Sequence, residues 1–131
     1  MKRCKAAIVG YGGMGSWHGD KLKTLDDIIE VVGTYDILEE RQEAAKKKGF
    51  TPYPSFEALL ADKELELVTI ATPNDLHKPL AVQLMAAGKN VISEKPVTLC
   101  SADLEEMIGA ANKHGVLFTT HQNRRWDEDF L

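Results

Sequence analysis

A glycine-rich turn at residues 10–15 constrains the fold of this chain more than any other feature of its sequence. The apolar run before it, residues 4–9, is typical of a buried parallel strand, and residues 14–25 follow it with helical spacing. In such a turn the first glycine permits a tight bend, the second lets the backbone approach a phosphate, and the third lets helix and strand pack closely. The N–H groups that open the helix face the anion. The sequence therefore predicts a site for the pyrophosphate of a dinucleotide, formed by Gly10, Tyr11, Gly12, Gly13, Met14 and Gly15.

The helix that follows the turn is predicted to bury one face. Met14, Trp17, Leu22 and Leu25 recur with the period of an α-helix and form the expected buried stripe. We therefore expect this stripe to pack on the strand before the turn.

An acidic residue stands at the end of the second predicted strand. Asp36 directly follows the strand-like run 28–35 and lies 21 residues after Gly15, near the offset of about 20 expected for the group that binds an adenosine ribose. Asp36 is equally placed to cap the helix predicted at 38–48, and the two roles are compatible. An acid repels a 2′-phosphate, so the sequence favours NAD over NADP. The side chain of Arg41, the nearest cation, points either toward or away from this position.

Strand-like and helical segments alternate along the whole chain, which indicates parallel strands joined by right-handed helical crossovers. This rhythm predicts a doubly wound, Rossmann-type α/β fold with helices on both faces and the strand order 3-2-1-4-5-6. Ligands bind such sheets beyond the carboxyl ends of the strands, at the switch point between strands 1 and 4. The strands are expected at about 5–9, 29–35, 50–53, 65–71, 89–93 and 116–120, and the helices at 14–25, 38–48, 56–61, 77–87 and 101–114.

Composition excludes several classes of function. The net charge of −4 gives no support to binding of nucleic acid or a membrane surface, and no segment approaches the roughly 18 apolar residues of a membrane span. Cys4 and Cys100 are too few for a disulfide framework and do not belong to a metal-spaced cluster, so we expect reduced thiols, a cytoplasmic protein and no metal site. The pattern GxxxxGK[ST] of P-loop nucleotidases does not occur.

Three further strand ends carry polar residues. Thr72, Pro73 and Asn74 follow the fourth predicted strand, and His77 either faces a ligand or packs at the start of its helix, the latter being commoner. Glu94 and Lys95 follow the fifth strand, where a buried charge needs a partner and enzymes place groups of altered acidity; an exposed ion pair is the alternative. The arginines at 124 and 125 follow the sixth strand and either contact a ligand or tie a linker to a following domain.

Together these segments resemble the N-terminal domain of the Gfo/Idh/MocA family, named for glucose–fructose oxidoreductase, inositol dehydrogenase and a rhizopine-catabolism protein. The resemblance covers essentially the whole chain. Its first stretch is common to many dinucleotide folds, whereas the second and third, in this order and spacing, are specific, and Glu94-Lys95-Pro96 matches the family's signature tripeptide. The stretches are residues 8–18, 71–81, 86–97 and 122–130.

The resemblance implies roles for individual residues. Gly10, Gly12 and Gly15 would hold the pyrophosphate and Asp36 the adenosine ribose. Lys95 would face both cofactor and substrate and is the expected catalytic residue. The ribose and nicotinamide region would be lined by Thr72, Pro73, Asn74, His77 and Glu94, with Arg124 or Arg125 beside the nicotinamide.

The family also implies a longer protein. Residues 1–121 would form the dinucleotide-binding domain, and 122–131 would begin a linker into a second domain that supplies the substrate pocket, a catalytic partner and the interface of a homo-oligomer. The intact enzyme would move a hydride between a nicotinamide and a secondary alcohol or carbonyl of a sugar, polyol or related compound, while this chain alone would bind cofactor without turnover. A non-catalytic dinucleotide-sensing module is the alternative, and an S-adenosylmethionine-binding fold would leave the segments at 72–74 and 94–96 without a role.

Overall fold

The described part of the chain forms one sheet of five parallel strands, with five helices packed around it. A computed structural model describes residues 2–72, 76–94 and 101–121. Within them the strands are β1 (Cys4–Val9), β2 (Ile29–Tyr35), β3 (Leu67–Ile70), β4 (Asn90–Glu94) and β5 (Phe118–His121). The helices are α1 (Gly13–Lys23), α2 (Glu39–Lys47), α3 (Phe56–Ala61), α4 (His77–Ala86) and α5 (Ser101–His114).

The order of the strands confirms the doubly wound α/β class. The sheet runs β2-β1-β3-β4-β5, and each neighbouring pair is parallel. The chain moves outward from β1 to β2 and then returns past β1 to β3, so the switch point lies between β1 and β3. We call the side where β1, β3 and β4 end the carboxyl edge, and the opposite side the amino edge.

The two faces of the sheet are both covered. Alternation along β1 sends Ala7 and Val9 into the main core, while Ile8 faces α1, where it lies close to Gly15 and Gly19. The main core also contains Leu84 and Met85 of α4 and Met107 of α5. Helices therefore pack on both faces, as the sequence predicts.

The predicted third strand, residues 50–53, is reduced to a single bridge between Thr34 and Pro52. The N–H of Thr34 donates to the carbonyl of Thr51 at 3.2 Å, and the N–H of Tyr53 donates to that of Thr34 at 2.7 Å. Proline has no N–H to extend this ladder. The described sheet consequently has five strands, and the six-strand order 3-2-1-4-5-6 is wrong in counting this edge segment as a strand.

The predicted buried stripe of α1 is wrong. Met14, Trp17 and Leu25 are 37%, 40% and 41% exposed, and the buried residues of the helix are Gly15, His18 and Gly19. A Cβ at Gly15 would overlap the carbonyl oxygen of Gly10, and one at Gly19 would lie 2.9 Å from the ring of Phe50. Close backbone packing through small residues decides which face of α1 is buried, not the apolar spacing.

The ends of the other helices follow the sequence signals. The Ser55 hydroxyl accepts a hydrogen bond from the N–H of Ala58 at 3.0 Å and caps α3. Gly88 and Gly115, with φ of +83° and +65°, follow α4 and α5 in the left-handed conformation typical of helix ends. These boundaries set where α4 and α5 return the chain to the sheet.

A glycine pair tests the packing of the bridge segment. A Cβ at Gly33 would lie 2.9 Å from the carbonyl oxygen of Thr51 and would overlap the ring of Tyr53, so we expect Gly33→Ala to lower the free energy of unfolding by about 1–3 kcal/mol. Gly109→Ala in α5 is the control, because its Cβ would meet no atom within 4 Å and alanine favours a helix by about 1 kcal/mol. Urea unfolding measures both, and a neutral Gly33→Ala would contradict this packing.

Candidate functional site

Each of four neighbouring strands ends in a residue that the sequence singles out. Gly10 follows β1, Asp36 follows β2, Thr72 lies just beyond β3, and Glu94 is the last residue of β4. Because the four strands are parallel, these residues share the carboxyl edge. The parallel fold therefore collects the described candidates in one region.

The glycine turn joins β1 to α1 and is pressed against the neighbouring strand. Gly10 has a φ of +90°, and a Cβ there would lie 2.8 Å from the carbonyl of Ala71. Only glycine fits both the conformation and the space. Among the described residues, no side chain caps the start of α1 and no acid lies in its first turn, so its N–H groups and positive dipole end favour an anion.

Tyr11 and Met14, two residues of the turn, differ in their surroundings. The ring of Tyr11 is buried against Phe50, with centroids 6.0 Å apart, and its N–H donates to Asp36. Met14 is partly exposed on α1. The contact of Tyr11 and Met14 with the pyrophosphate stays a prediction.

Asp36 connects the turn to the start of α2. One carboxylate oxygen accepts from the N–H of Tyr11 at 2.7 Å, and the other accepts from the N–H of Leu38 at 2.9 Å. The side chain is almost fully buried. Asp36 thus holds the turn that leads into α2 and also lies beside the glycine turn. Capping of α2 and binding of a ribose are therefore compatible roles for this residue.

The side chain of Arg41 points toward the glycine turn. The sequence alone does not decide between this direction and the opposite one. The guanidinium of Arg41 lies 3.6 Å from a carboxylate oxygen of Asp36 and 3.3 Å from the position that a Cβ on Gly12 would occupy. Since α2 begins at Glu39, Arg41 lies in the first turn of this helix, directly after the end of β2. That short offset from Asp36 is the signal by which the sequence could have placed Arg41 in the site.

A cleft of about 550 Å³ opens between these groups. Its wall is mostly apolar, with Asp36, Arg41 and Thr72 as its polar side chains. The hydroxyl oxygen of Thr72 is buried and has no hydrogen-bond partner among the described residues. The apolar lining comes from Val9, Tyr35, Ile37, Leu38, Phe56, Leu76 and Leu80.

His77 anchors the loop after β3. Its ring is buried at the start of α4, and its Nε2–H donates to the carbonyl of Thr72 at 2.9 Å. His77 does not line the cleft. The structure therefore favours the packing role for His77, while Pro73 and Asn74 lie outside the described residues.

Glu94 forms a buried pair with a residue that the sequence analysis does not single out. The carboxylate of Glu94 contacts Nε2 of His18 in α1, and both residues are buried. His18 has no recognisable motif of its own apart from its place after the glycine turn. Lys95, Arg124 and Arg125 lie outside the described residues.

A second polar cluster lies at the amino edge and belongs to the scaffold. The hydroxyl of Tyr53 donates to Asp62 at 2.7 Å, which lowers the pKa of Asp62, while burial and the same carboxylate raise the pKa of Tyr53. Lys89 donates to the carbonyl of Asp62, and burial lowers the pKa of Lys89. These groups satisfy one another around the α3–β3 connection.

Two other kinds of site were sought within residues 2–72, 76–94 and 101–121. No group of three His, Cys, Asp or Glu side chains there could hold a metal ion. In the same ranges, none of the helices combines the length and apolar character that crossing a membrane requires.

The family model described as the Gfo/Idh/MocA oxidoreductase family, NAD-binding Rossmann fold, matches residues 4–122. The chain belongs to this family. The match spans the glycine turn, Asp36, the loop after β3 and the end of β4, so the resemblance in the sequence is confirmed and the chain is an NAD-binding Rossmann domain.

Individual relatives agree with this assignment. The scyllo-inositol 2-dehydrogenase (NADP⁺) of Bacillus subtilis is 36% identical over 97% of this chain and 35% of its own length. The crystal structure of an NAD-binding protein from Listeria innocua is 52% identical, with a TM-score of 0.93, over 98% of this chain and 38% of its own. GenD2 from gentamicin A biosynthesis, solved in complex with NAD, is 31% identical, with a TM-score of 0.89, over 96% and 36%. The chain therefore spans little more than a third of these relatives.

The residues present fit a dinucleotide. The glycine turn leaves room for a phosphate beside Gly12, where an added Cβ would meet only the tip of Arg41. Thr72 lines the cleft and has a buried hydroxyl with no hydrogen-bond partner among the described residues, and Asp36 offers acceptors to a ribose. Apolar walls suit an adenine ring.

Two neighbouring glycines test the phosphate site. We expect Gly12→Ala to fold normally, because its Cβ would meet only the flexible end of Arg41, and to weaken NAD binding at least tenfold, about 1.4 kcal/mol, because the methyl group blocks the approach of the pyrophosphate. Gly13→Ala is the matched control, since its Cβ would point into open space. Isothermal titration calorimetry with NAD measures both variants. Equal affinities for Gly12→Ala and the unchanged chain would contradict this position of the phosphates.

Proposed function

We propose that this chain is the cofactor-binding domain of an NAD-dependent oxidoreductase that acts on a secondary alcohol or carbonyl of a sugar, polyol or related compound. The observation that carries the proposal is the sharing of one sheet edge by the glycine turn, Asp36, Thr72 and Glu94. A dinucleotide is long enough to use all four strand ends, whereas a mononucleotide is not. The inositol dehydrogenase activity of the Bacillus subtilis relative supports a polyol-like substrate.

The chain's own residues divide the work of binding. N–H groups at the start of α1 bind the phosphates, and Asp36 accepts hydrogen bonds from the adenosine ribose. A nicotinamide held near the end of β4 would supply or accept the hydride. Lys95 hydrogen-bonds the reacting oxygen and assists its proton transfer. Glu94 binds the ribose next to the nicotinamide, and Pro73, Asn74 and Arg124 or Arg125 complete this end of the site.

Substrate binding and turnover require more than this chain provides. Its residues 1–121 form the dinucleotide domain, and residues 122–131 lead toward a substrate domain in a larger protein that assembles as a homo-oligomer. Donor and acceptor carbons must be held at about 3–3.5 Å, which needs a wall on the far side of the nicotinamide. We therefore expect the 131-residue chain to bind NAD and to show no dehydrogenase activity alone.

The adenosine end favours NAD over NADP. The carboxylate of Asp36 is fixed by two backbone N–H groups and cannot move away from an incoming 2′-phosphate. Arg41 offsets part of that repulsion, since its guanidinium lies beside the same carboxylate. NADP is therefore the weaker ligand, and Arg41 sets how much weaker.

Calorimetry with both dinucleotides tests the cofactor assignment. We expect the chain to bind NAD more tightly than NADP and not to bind S-adenosylmethionine. Arg41→Ala should weaken NADP binding about tenfold or more and NAD binding only a few fold, because a charge-assisted hydrogen bond to a phosphate contributes about 1.5–3 kcal/mol. Arg3→Ala, an exposed arginine paired with Glu30 at the amino edge, is the control.

Tighter binding of NADP than NAD would contradict the role of Asp36. Equal losses for the two dinucleotides in Arg41→Ala would contradict the role of Arg41. Failure to bind either dinucleotide would refute the proposed function as a whole.

A further inference from the structure

The buried pair of His18 and Glu94 connects two parts of the site that are distant in sequence. His18 lies in the second turn of α1 and Glu94 at the end of β4, 76 residues apart. Each residue is 7% exposed. A carboxylate only accepts hydrogen bonds, so Nε2 of His18 carries the hydrogen that it donates to Glu94.

The ring of His18 is held in one place by its surroundings. On α1 it is flanked by Gly15 and Gly19, which let the helix backbone pack tightly on Ile8 and Phe50. The ring of Trp17 meets it edge to face, with centroids 5.2 Å apart and planes at 81°. A donor fixed in this way fixes the direction of the carboxylate that it contacts.

The positions of the two residues match the direction in which a dinucleotide extends. His18 is five residues beyond the first residue of α1, about 7.5 Å along the helix axis from the phosphate end. Strand β4 is the second strand from β1, about 10 Å across the sheet. The pair therefore bridges from the helix that receives the phosphates to the strand end expected beside the nicotinamide ribose.

We propose that His18 is a positioning residue that aims Glu94 at the nicotinamide ribose of the dinucleotide. This inference rests on the proposed function, which places that ribose at the end of β4. Without the donor of His18, this buried carboxylate loses a contact that fixes its direction, and it no longer offers a well-placed acceptor to the ribose hydroxyls. In this proposal α1 binds the phosphates with its N-terminus and, through His18, also positions the carboxylate that binds the nicotinamide ribose.

A purely structural role for His18 predicts a different result. Loss of a structural contact lowers stability and weakens every ligand by the same factor. Loss of a positioning contact weakens only the ligands that contain the second ribose. Two ligands separate these cases, because ADP ends at the phosphates, whereas NAD continues to the nicotinamide ribose.

The experiment measures the affinities of the full 131-residue chain for NAD and ADP by calorimetry. We expect His18→Asn to weaken NAD binding about tenfold and ADP binding less than twofold, because asparagine is too short to put a donor where Nε2 lies. His18→Gln reaches farther with an amide donor, and we expect it to restore most of the NAD affinity. Gly33→Ala is the control for a general loss of stability, since its Cβ would press on Thr51 and Tyr53, which do not belong to α1, and it should change both ligands equally.

Each outcome decides the matter. An equal change for NAD and ADP in His18→Asn, or no change in either, overturns the positioning role, as does a failure of both His18 variants to fold at low temperature. Failure of the unchanged chain to bind either ligand refutes the proposed function instead. Normal binding by the unchanged chain with no selective loss in His18→Asn refutes only the role of His18.

Discussion

The contact between the start of α1 and the glycine turn is the constraint on which the rest of the site depends. No side chain fits between Gly15 and the carbonyl of Gly10, so the helix begins directly against the end of β1. From that position its first N–H groups face the carboxyl edge, and His18, one turn farther on, reaches Glu94 across the sheet. The N–H of Tyr11 remains free of the helix and binds Asp36. The glycine turn, Asp36 and the end of β4 are thus linked through a single close approach of backbone to backbone.

The two edges of the sheet differ in how their polar groups are satisfied. At the amino edge, Lys89, Asp62 and Tyr53 satisfy one another. At the carboxyl edge, the Thr72 hydroxyl has no partner among the described residues, and the start of α1 is uncapped. Unsatisfied donors and acceptors are costly inside a protein, so the uncapped start of α1 and the Thr72 hydroxyl both point to a ligand at this edge.

The sequence predicts most of the fold because its strongest signals are local. The glycine turn, the Ser55 cap and the glycines after α4 and α5 each act over a few residues, and the structure has them where the pattern indicates. The apolar spacing predicts the wrong buried face of α1, since it takes no account of the backbone contact at Gly15 or of the Phe50 ring packed on Gly19. The sequence predicts a short, proline-broken edge strand at residues 50–53, and the structure keeps only one bridge of it, because Pro52 lacks the N–H that would extend the ladder.

The site was predictable in part for a related reason. Strand ends can be located from the sequence, so Asp36, Thr72 and Glu94 could be assigned to one edge. The direction of Arg41 and the partner of Glu94 depend on packing between segments far apart in sequence, which no local pattern encodes. His18 is the clearest example, since only the folded chain brings it to Glu94.

The central claim is that the phosphates of a dinucleotide bind where β1 meets α1. The most direct measurement is an NMR titration of the ¹⁵N-labelled chain with NAD, following each backbone amide. We expect the largest shifts at Gly12, Gly13 and Met14, with smaller ones at Thr72 and none at Lys89 and Asn90 of the amino edge. Unchanged amides in the glycine turn, with shifts elsewhere in the chain, would show that the phosphates bind at another place.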